Sequence, residues 1–299
     1  MMLDASVLQA PVLDHRGLDL GAARRVSYVL EQSLHYEYDA PVESLRQRLV
    51  IVPPARHGNQ YLRAHRLEVT GAQARRRVRR DAAGNVIAWL RAERVPHAIE
   101  FRLAAVLERV LDDGPTVLAP EALHSPRLLR PTRLTAADER LRAMAADIAA
   151  KTQPGGGESA EIAELVCDVV SQAISYEDGV TTVTTTAAGA LAAGRGVCQD
   201  FAHVMLALCH LLRLPARYVS GHLLGQGGTH AWVEVIVPRA GYAEAVAFDP
   251  CNGRRTDSGY VTVATGRDYS DVAPTSGSYI GTSPGRLTAG RRVGVLAAA

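Results

Sequence analysis

Three residues in the second half of the chain have the types and settings that thiol chemistry needs. Cys198 stands in GRGVCQD, a glycine-rich approach to a run with Phe201, Met205, Leu208 and Leu212 at helical spacing. A thiol at a helix N-terminus faces the positive end of the macrodipole and a set of free backbone N–H groups. Both favour the thiolate, the nucleophilic form, and the same N–H groups suit an oxyanion. Alone, a cysteine on an apolar helix reads as a buried structural thiol. Its partners alter that reading. THAWVEVIV alternates, with His230, Trp232, Glu234 and Ile236 on one face of a strand, and a second strand ends at Phe248-Asp249-Pro250 after a turn at Pro238–Tyr242. If the two form an antiparallel hairpin, His230 and Asp249 become near cross-strand neighbours within hydrogen-bonding reach. A histidine oriented by a carboxylate beside a helix-start cysteine is the triad arrangement in its thiol form, suited to acyl transfer through a thioester.

The neighbours of these residues are weaker candidates. Gln199 is placed to line the site, and Trp232, on the His230 face, to wall a substrate groove, although an inward aromatic on a core strand is the commoner role. Asp200 reads as a cap on the first helical turn. His203 lies about 140° round the helix from Cys198 and points elsewhere. Cys209 shares the Cys198 face but sits ~16 Å further along the axis, too far for a disulfide or a shared metal. The histidines and cysteines do not match zinc-ligand spacing and there is no HExxH, so neither a metal nor any other cofactor is expected.

Two kinds of element must hold these side chains. Residues 1–25 read as a flexible leader. From Val26 the pattern is β-like, with short runs bounded by turn signals: VSYVLEQSLHYEY, LRQRLVIV, YLRAHRLEV, then ARRRVRR and VIAWLRAE separated by a hairpin-grade turn at Asp81–Asn85. RRRVRR reads as a solvated edge strand whose charge blocks pairing. The period then becomes helical. Thr135 with Asp138 resembles a capping box for a helix to Lys151, Gly155–Gly157 breaks it, and Ser159 caps a second helix. The third runs from the cysteine to about Leu214, where Pro215 stops it. Strand-like ARYVSGHLL, THAWVEVIV, EAVAFDP and RRVGVLA follow. The whole is α+β, with an antiparallel β domain at 26–125 and a helix-plus-sheet core at 126–299.

The bulk numbers bound the function. At 299 residues, with 33 basic against 31 acidic side chains and a formal charge of +2, nothing calls for a nucleic-acid or membrane-surface partner. No stretch has the length of a spanning helix, the N-terminus lacks the pattern of a secretory signal, and four scattered cysteines make no disulfide framework. A reducing cytoplasm is the expected location.

GVCQDFAH, PARYVSG, THAWVEV and FDPCNG together resemble the transglutaminase-like core of bacterial transglutaminase-family proteins. GRDYSDVAPTSGSYIG resembles the segment that follows that core, and HYEYDAPVES and RRDAAGNV resemble the family's companion N-terminal β domain. The resemblance implies a papain-like fold with Cys198 as nucleophile, His230 as base and acid, and Asp249 orienting His230. Cys251 departs from it, standing where relatives usually carry threonine. The implied substrate is a peptide or protein amide. Such a core serves hydrolases and acyltransferases alike, so water and an amine both stand as second nucleophile, with water preferred. A non-catalytic binding module on the same fold is a third reading. The oligomeric state is not implied.

Overall fold

The computed structural model describes residues 11–152 and 158–299. The glycines 155–157, read above as a helix break, lie outside the described residues. The N-terminal half holds seven strands: β1 (Arg25–Tyr38), β2 (Val42–Val52), β3 (Arg56–His57), β4 (Gln60–Thr70), β5 (Arg75–Arg80), β6 (Val86–Val95) and β7 (Ala98–Val110). A short β8 (Thr116–Leu118) leads into the second half. There β9 (Ser175–Tyr176) pairs with β10 (Arg195–Gly196), and β11 (Ala216–Leu223), β12 (His230–Arg239), β13 (Tyr242–Asp249), β14 (Arg254–Arg255) and β15 (Tyr260–Gly266) form the main core sheet. Two last strands, β16 (Thr275–Ile280) and β17 (Gly285–Ala298), end the chain.

Alternation along β1, β2, β6 and β7 buries one face of each strand, and these faces close a core that includes Leu30, Leu34, Leu49, Leu90, Phe101 and Leu107. The strands form two antiparallel sheets in the orders β17-β1-β7-β4-β3 and β16-β2-β6-β5. The outer members tie the C-terminal strands to the N-terminal sheets. The 126–299 unit does not close on itself, because β16 pairs with β2 and β17 with β1 along nearly its whole length. The leader is also engaged from residue 11 onward: Leu13 bridges Val295, and Leu18 and Leu20 pack on the core.

Among the described residues the longer helices are α1 (Glu139–Lys151), α2 (Ser159–Ala173), α3 (Ala187–Ala193) and α4 (Cys198–Leu211), beside single helical turns at Pro126–Leu129 and Tyr269–Val272. The expected N-caps shift, the first by three residues and the second by one. Asp138, not Thr135, caps α1, its Oδ1 accepting from the Leu141 N–H at 2.9 Å, while Thr135 is buried and bonded to Thr132. Glu158 precedes α2, its N–H donating to Glu161 Oε2 at 3.2 Å while its carbonyl accepts from the Glu161 N–H, so Ser159 is the first helical residue. α4 ends where Pro215 requires, with Arg213 at positive φ. This helix is buried along both flanks and lies against β12 in the core sheet, whose order is β14-β13-β12-β11-β15.

Candidate active site

Cys198 is the first residue of α4. The chain reaches it through Gly196, whose missing Cβ makes room for Asp200: a Cβ there would collide with that side chain. Asp200 is buried and its Oδ2 accepts from the Val197 N–H at 2.9 Å and the Thr181 hydroxyl at 2.6 Å. The capping role expected of it is therefore the one it occupies. Burial raises its pKa, against these two hydrogen bonds. Cys198 is half-buried, and its thiol lies 3.9 Å from the Thr229 carbonyl, next to His230 in the chain.

The hairpin that carries the other two residues is tight. Arg239 pairs with Tyr242 around Gly241, which takes a positive φ of 83°. Val233 opposite Phe248 then sets Asp249 across from Trp232 and diagonal to His230 on the same face. His230 Nε2 donates to Asp249 Oδ2 at 2.6 Å, with both side chains almost fully buried. Burial works to lower the His230 pKa. The Asp249 hydrogen bond, the adjacent Cys198 side chain and the charges of both outweigh it and bring the imidazole up to about 9.

Asp249 is saturated with donors. Besides His230, its Oδ2 accepts from Asn252 Nδ2 at 2.6 Å and the Tyr260 hydroxyl at 2.7 Å, and its Oδ1 from the N–H groups of Cys251 and Asn252 at 3.0 and 3.2 Å. Burial would raise its pKa, but the hydrogen bond and charge of His230, with the Asn252 and Tyr260 bonds, hold it below the ordinary carboxylate value. It is an anion built to face an imidazolium.

The remaining candidates separate. Trp232 is 1% exposed and lies flat on His230, centroids 6.2 Å apart at 29°, with Tyr260 edge-on to it. It backs the histidine from inside. Gln199 is buried, with Nε2 3.4 Å from the Thr182 carbonyl, so it ties the loop before α3 to the cysteine helix. His203 is enclosed on another side, where its Nε2 accepts from the Tyr269 N–H at 3.2 Å. Cys251 is half-buried, with burial first among the causes that push its thiol upward.

Sequence reasoning missed Tyr260 and Asn252 as partners of Asp249. Asn252 carried a signal, because an Asx residue followed by Pro and then Asn three positions on makes a turn that wraps the carboxylate. Tyr260 carried none, since β15 reaches β13 only through the sheet. Also missed was a link to the N-terminal half. Glu234, on the His230 face of β12, is buried against Arg217 Nη2 at 2.6 Å and His57 Nε2 at 2.7 Å, the latter from β3. Burial would raise the Glu234 pKa, but Arg217 and His57 pull it down to about 2. On β15, Gln60 and Asn85 each bond both the N–H and the carbonyl of one residue, Thr262 and Thr265, so two side-chain amides replace a pairing strand. Arg109 adds a bond to the Tyr260 carbonyl at 2.6 Å.

Comparison with known proteins agrees with this architecture. An uncharacterized Mycobacterium tuberculosis protein is 29% identical over 285 residues, spanning 85% of this chain and 83% of its own. An uncharacterized Mycobacterium leprae protein is 34% identical over 164 residues, 52% of this chain and 55% of that one. The solved structure of a candidate cysteine protease from Cytophaga hutchinsonii superposes with a TM-score of 0.72 over 91% of each chain at 20% identity, which establishes a shared fold. Residues 28–108 match the bacterial transglutaminase-like N-terminal region, and residues 142–250, which contain Cys198, His230 and Asp249, match the transglutaminase-like superfamily core. The chain is thus a member of the transglutaminase-like superfamily, in its two-part bacterial form.

Proposed function

We propose that this protein is a cysteine-dependent amide or peptide hydrolase that works through a thioester acyl-enzyme. The observation that carries the reading is the buried 2.6 Å His230–Asp249 hydrogen bond beside a cysteine at a helix start, with the imidazole raised to about 9. A histidine so placed holds a proton at neutral pH, next to a sulfur that can act as nucleophile.

The sulfur attacks the amide carbonyl carbon, and the first-turn N–H groups of α4 face the resulting oxyanion. The C–N bond then breaks, the electron pair leaves on nitrogen, and His230 delivers its proton to the departing amine. Water next attacks the thioester carbon, giving up a proton to His230, and the C–S bond breaks to release a carboxylic acid and the free cysteine. An amine in place of water returns an amide by the same steps, and this transferase reading is the second one the geometry serves. Water is favoured because transfer requires a site that excludes it. The substrate is an amide in a peptide or protein. All four cysteines are free thiols, which supports work in a reducing cytoplasm.

The test is mass spectrometry of a glutamine-containing peptide library incubated with wild type and with Cys198→Ala, with and without a primary amine. Cleaved or deamidated products that vanish in the variant are expected. Amine adducts under the same control move the assignment to a transferase, and identical spectra from the two proteins defeat both.

A further inference from the structure

We propose that the outer edge of β5 is a docking site for an extended polypeptide strand with acidic residues at alternate positions. β5 is the last strand of its sheet, and all six of its residues, Arg75 to Arg80, are exposed. Its partner β6 covers one side only, so the other presents a row of unpaired N–H and carbonyl groups, a template for a further strand.

Charge selects what that strand is. Cross-strand register stacks like charges: Arg75 lies opposite Arg91, and Arg91 opposite Arg46, so three arginines stand in one row across three strands. The next row runs Arg77, Trp89, Arg48, with Trp89 47% exposed, and Arg79 begins a third beside Ile87. Like charges directly opposite one another destabilise a sheet, and among the described residues no ion pair joins Arg46, Arg75, Arg79 or Arg91 to a carboxylate. A second copy of β5 would set arginine against arginine. An acidic strand sets carboxylates beside Arg75, Arg77 and Arg79, whose alternate spacing of ~6.7 Å is that of its own side chains, and guanidinium accepts carboxylate in a two-point fit. On the reverse face Val78, 52% exposed between Arg76 and Arg80, calls for an apolar side chain at the intervening positions. A phosphate chain satisfies the arginines but not the backbone edge, and the chain's net charge of only +2 lacks the excess that general nucleic-acid binding draws on.

The test is fluorescence anisotropy of the full chain with a labelled peptide of alternating glutamate and valine. Comparison probes are the glutamine–valine peptide, a glutamate–proline peptide, an oligodeoxythymidine and phosphatidylserine vesicles. The glutamate–valine peptide is expected to bind at least tenfold more tightly than every other probe. Combined Arg75→Ser, Arg77→Ser and Arg79→Ser substitution is expected to weaken it tenfold or more, whereas Arg66→Ser with Arg102→Ser, removing exposed charge elsewhere on the domain, changes it less than twofold. Amide exchange of wild type, which needs no variant to fold, should slow at β5 when the peptide is added. Equal binding of the glutamine or proline peptide, tighter binding of the oligonucleotide or vesicles, equal loss in the Arg66/Arg102 variant, or unchanged exchange at β5 overturns the proposal.

Discussion

At the scale of single residues, the site is an anion, an imidazole and a neighbouring sulfur. The types and spacing of Cys198, His230 and Asp249 were legible in sequence because a helix start and a hairpin are local structures. The donors that fix Asp249 were legible only where they too are local, as Asn252 is. Two outcomes follow. Asp249→Ala removes the acceptor that orients and charges His230, so kcat/KM against a responsive peptide should fall by two or more orders of magnitude, with the His230 titration dropping from about 9, as read by NMR of the ring protons. Tyr260→Phe deletes one of five hydrogen bonds to an ionised carboxylate, a change of roughly 1.5–2 kcal/mol, so activity should drop about ten- to thirtyfold and remain measurable. A loss as complete as that of Asp249→Ala would give Tyr260 a role beyond holding the carboxylate. The pH dependence has a definite sign. His230 goes from an ordinary 6.5 to about 9 on folding, so its contribution to stability is full below pH 6.5 and is lost as pH rises through about 9.

Elements position these residues through a few steric conditions. α4 can begin at Cys198 only if Gly196 leaves space for the Asp200 carboxylate that caps it. Gly196→Ala should therefore displace Asp200 and cost about 1–2 kcal/mol in chemical denaturation, with a larger proportional loss of activity than any surface substitution on α1. The helices themselves were readable from apolar spacing and from Pro215. Their first residues were less so, because Thr135 and Ser159 satisfy the cap pattern as well as Asp138 and Glu158 do, and only tertiary packing, such as the burial of Thr135, decides among them. The hairpin is the clearest case in the other direction: alternation and one glycine fix the register that sets Asp249 diagonal to His230.

For the whole molecule, the two halves are held together by groups that no local pattern reveals. The return of β16 and β17 to the N-terminal sheets joins residues more than 200 positions apart, and Gln60, Asn85 and Arg109 clasp β15 beside Tyr260. Sequence gave the strands but not their partners, since period-two alternation says which face is buried and nothing about which sheet buries it. Glu234→Gln should be destabilising by about 3 kcal/mol, because it strips the half-buried Arg217 of its counter-charge inside the sheet, and the loss should show in a urea titration. Acid should act on the same scale. Burial pushes His203, His210 and His222 down to about 4, with Arg291 adding to the effect at His222. These side chains fold neutral, so the stability they carry is present above pH 6.5 and lost as pH falls towards 4, on the order of 3 kcal/mol each. A urea midpoint that falls steeply between pH 6.5 and 4, and less steeply in His210→Gln, is the expected result.

The central claim is that Cys198 is a nucleophile made so by His230. Its most direct measurement is the rate of iodoacetamide labelling of each cysteine from pH 5 to 9, in wild type and His230→Ala, read by peptide mass spectrometry. Burial holds Cys167 and Cys209 up at about 12, which makes them internal standards of an inert thiol. The account predicts that Cys198 labels fastest, at mildly acidic pH as well as neutral, and that His230→Ala slows it at least tenfold while leaving the others unchanged. Labelling of Cys198 no faster than Cys251, or a rate indifferent to His230, would contradict it.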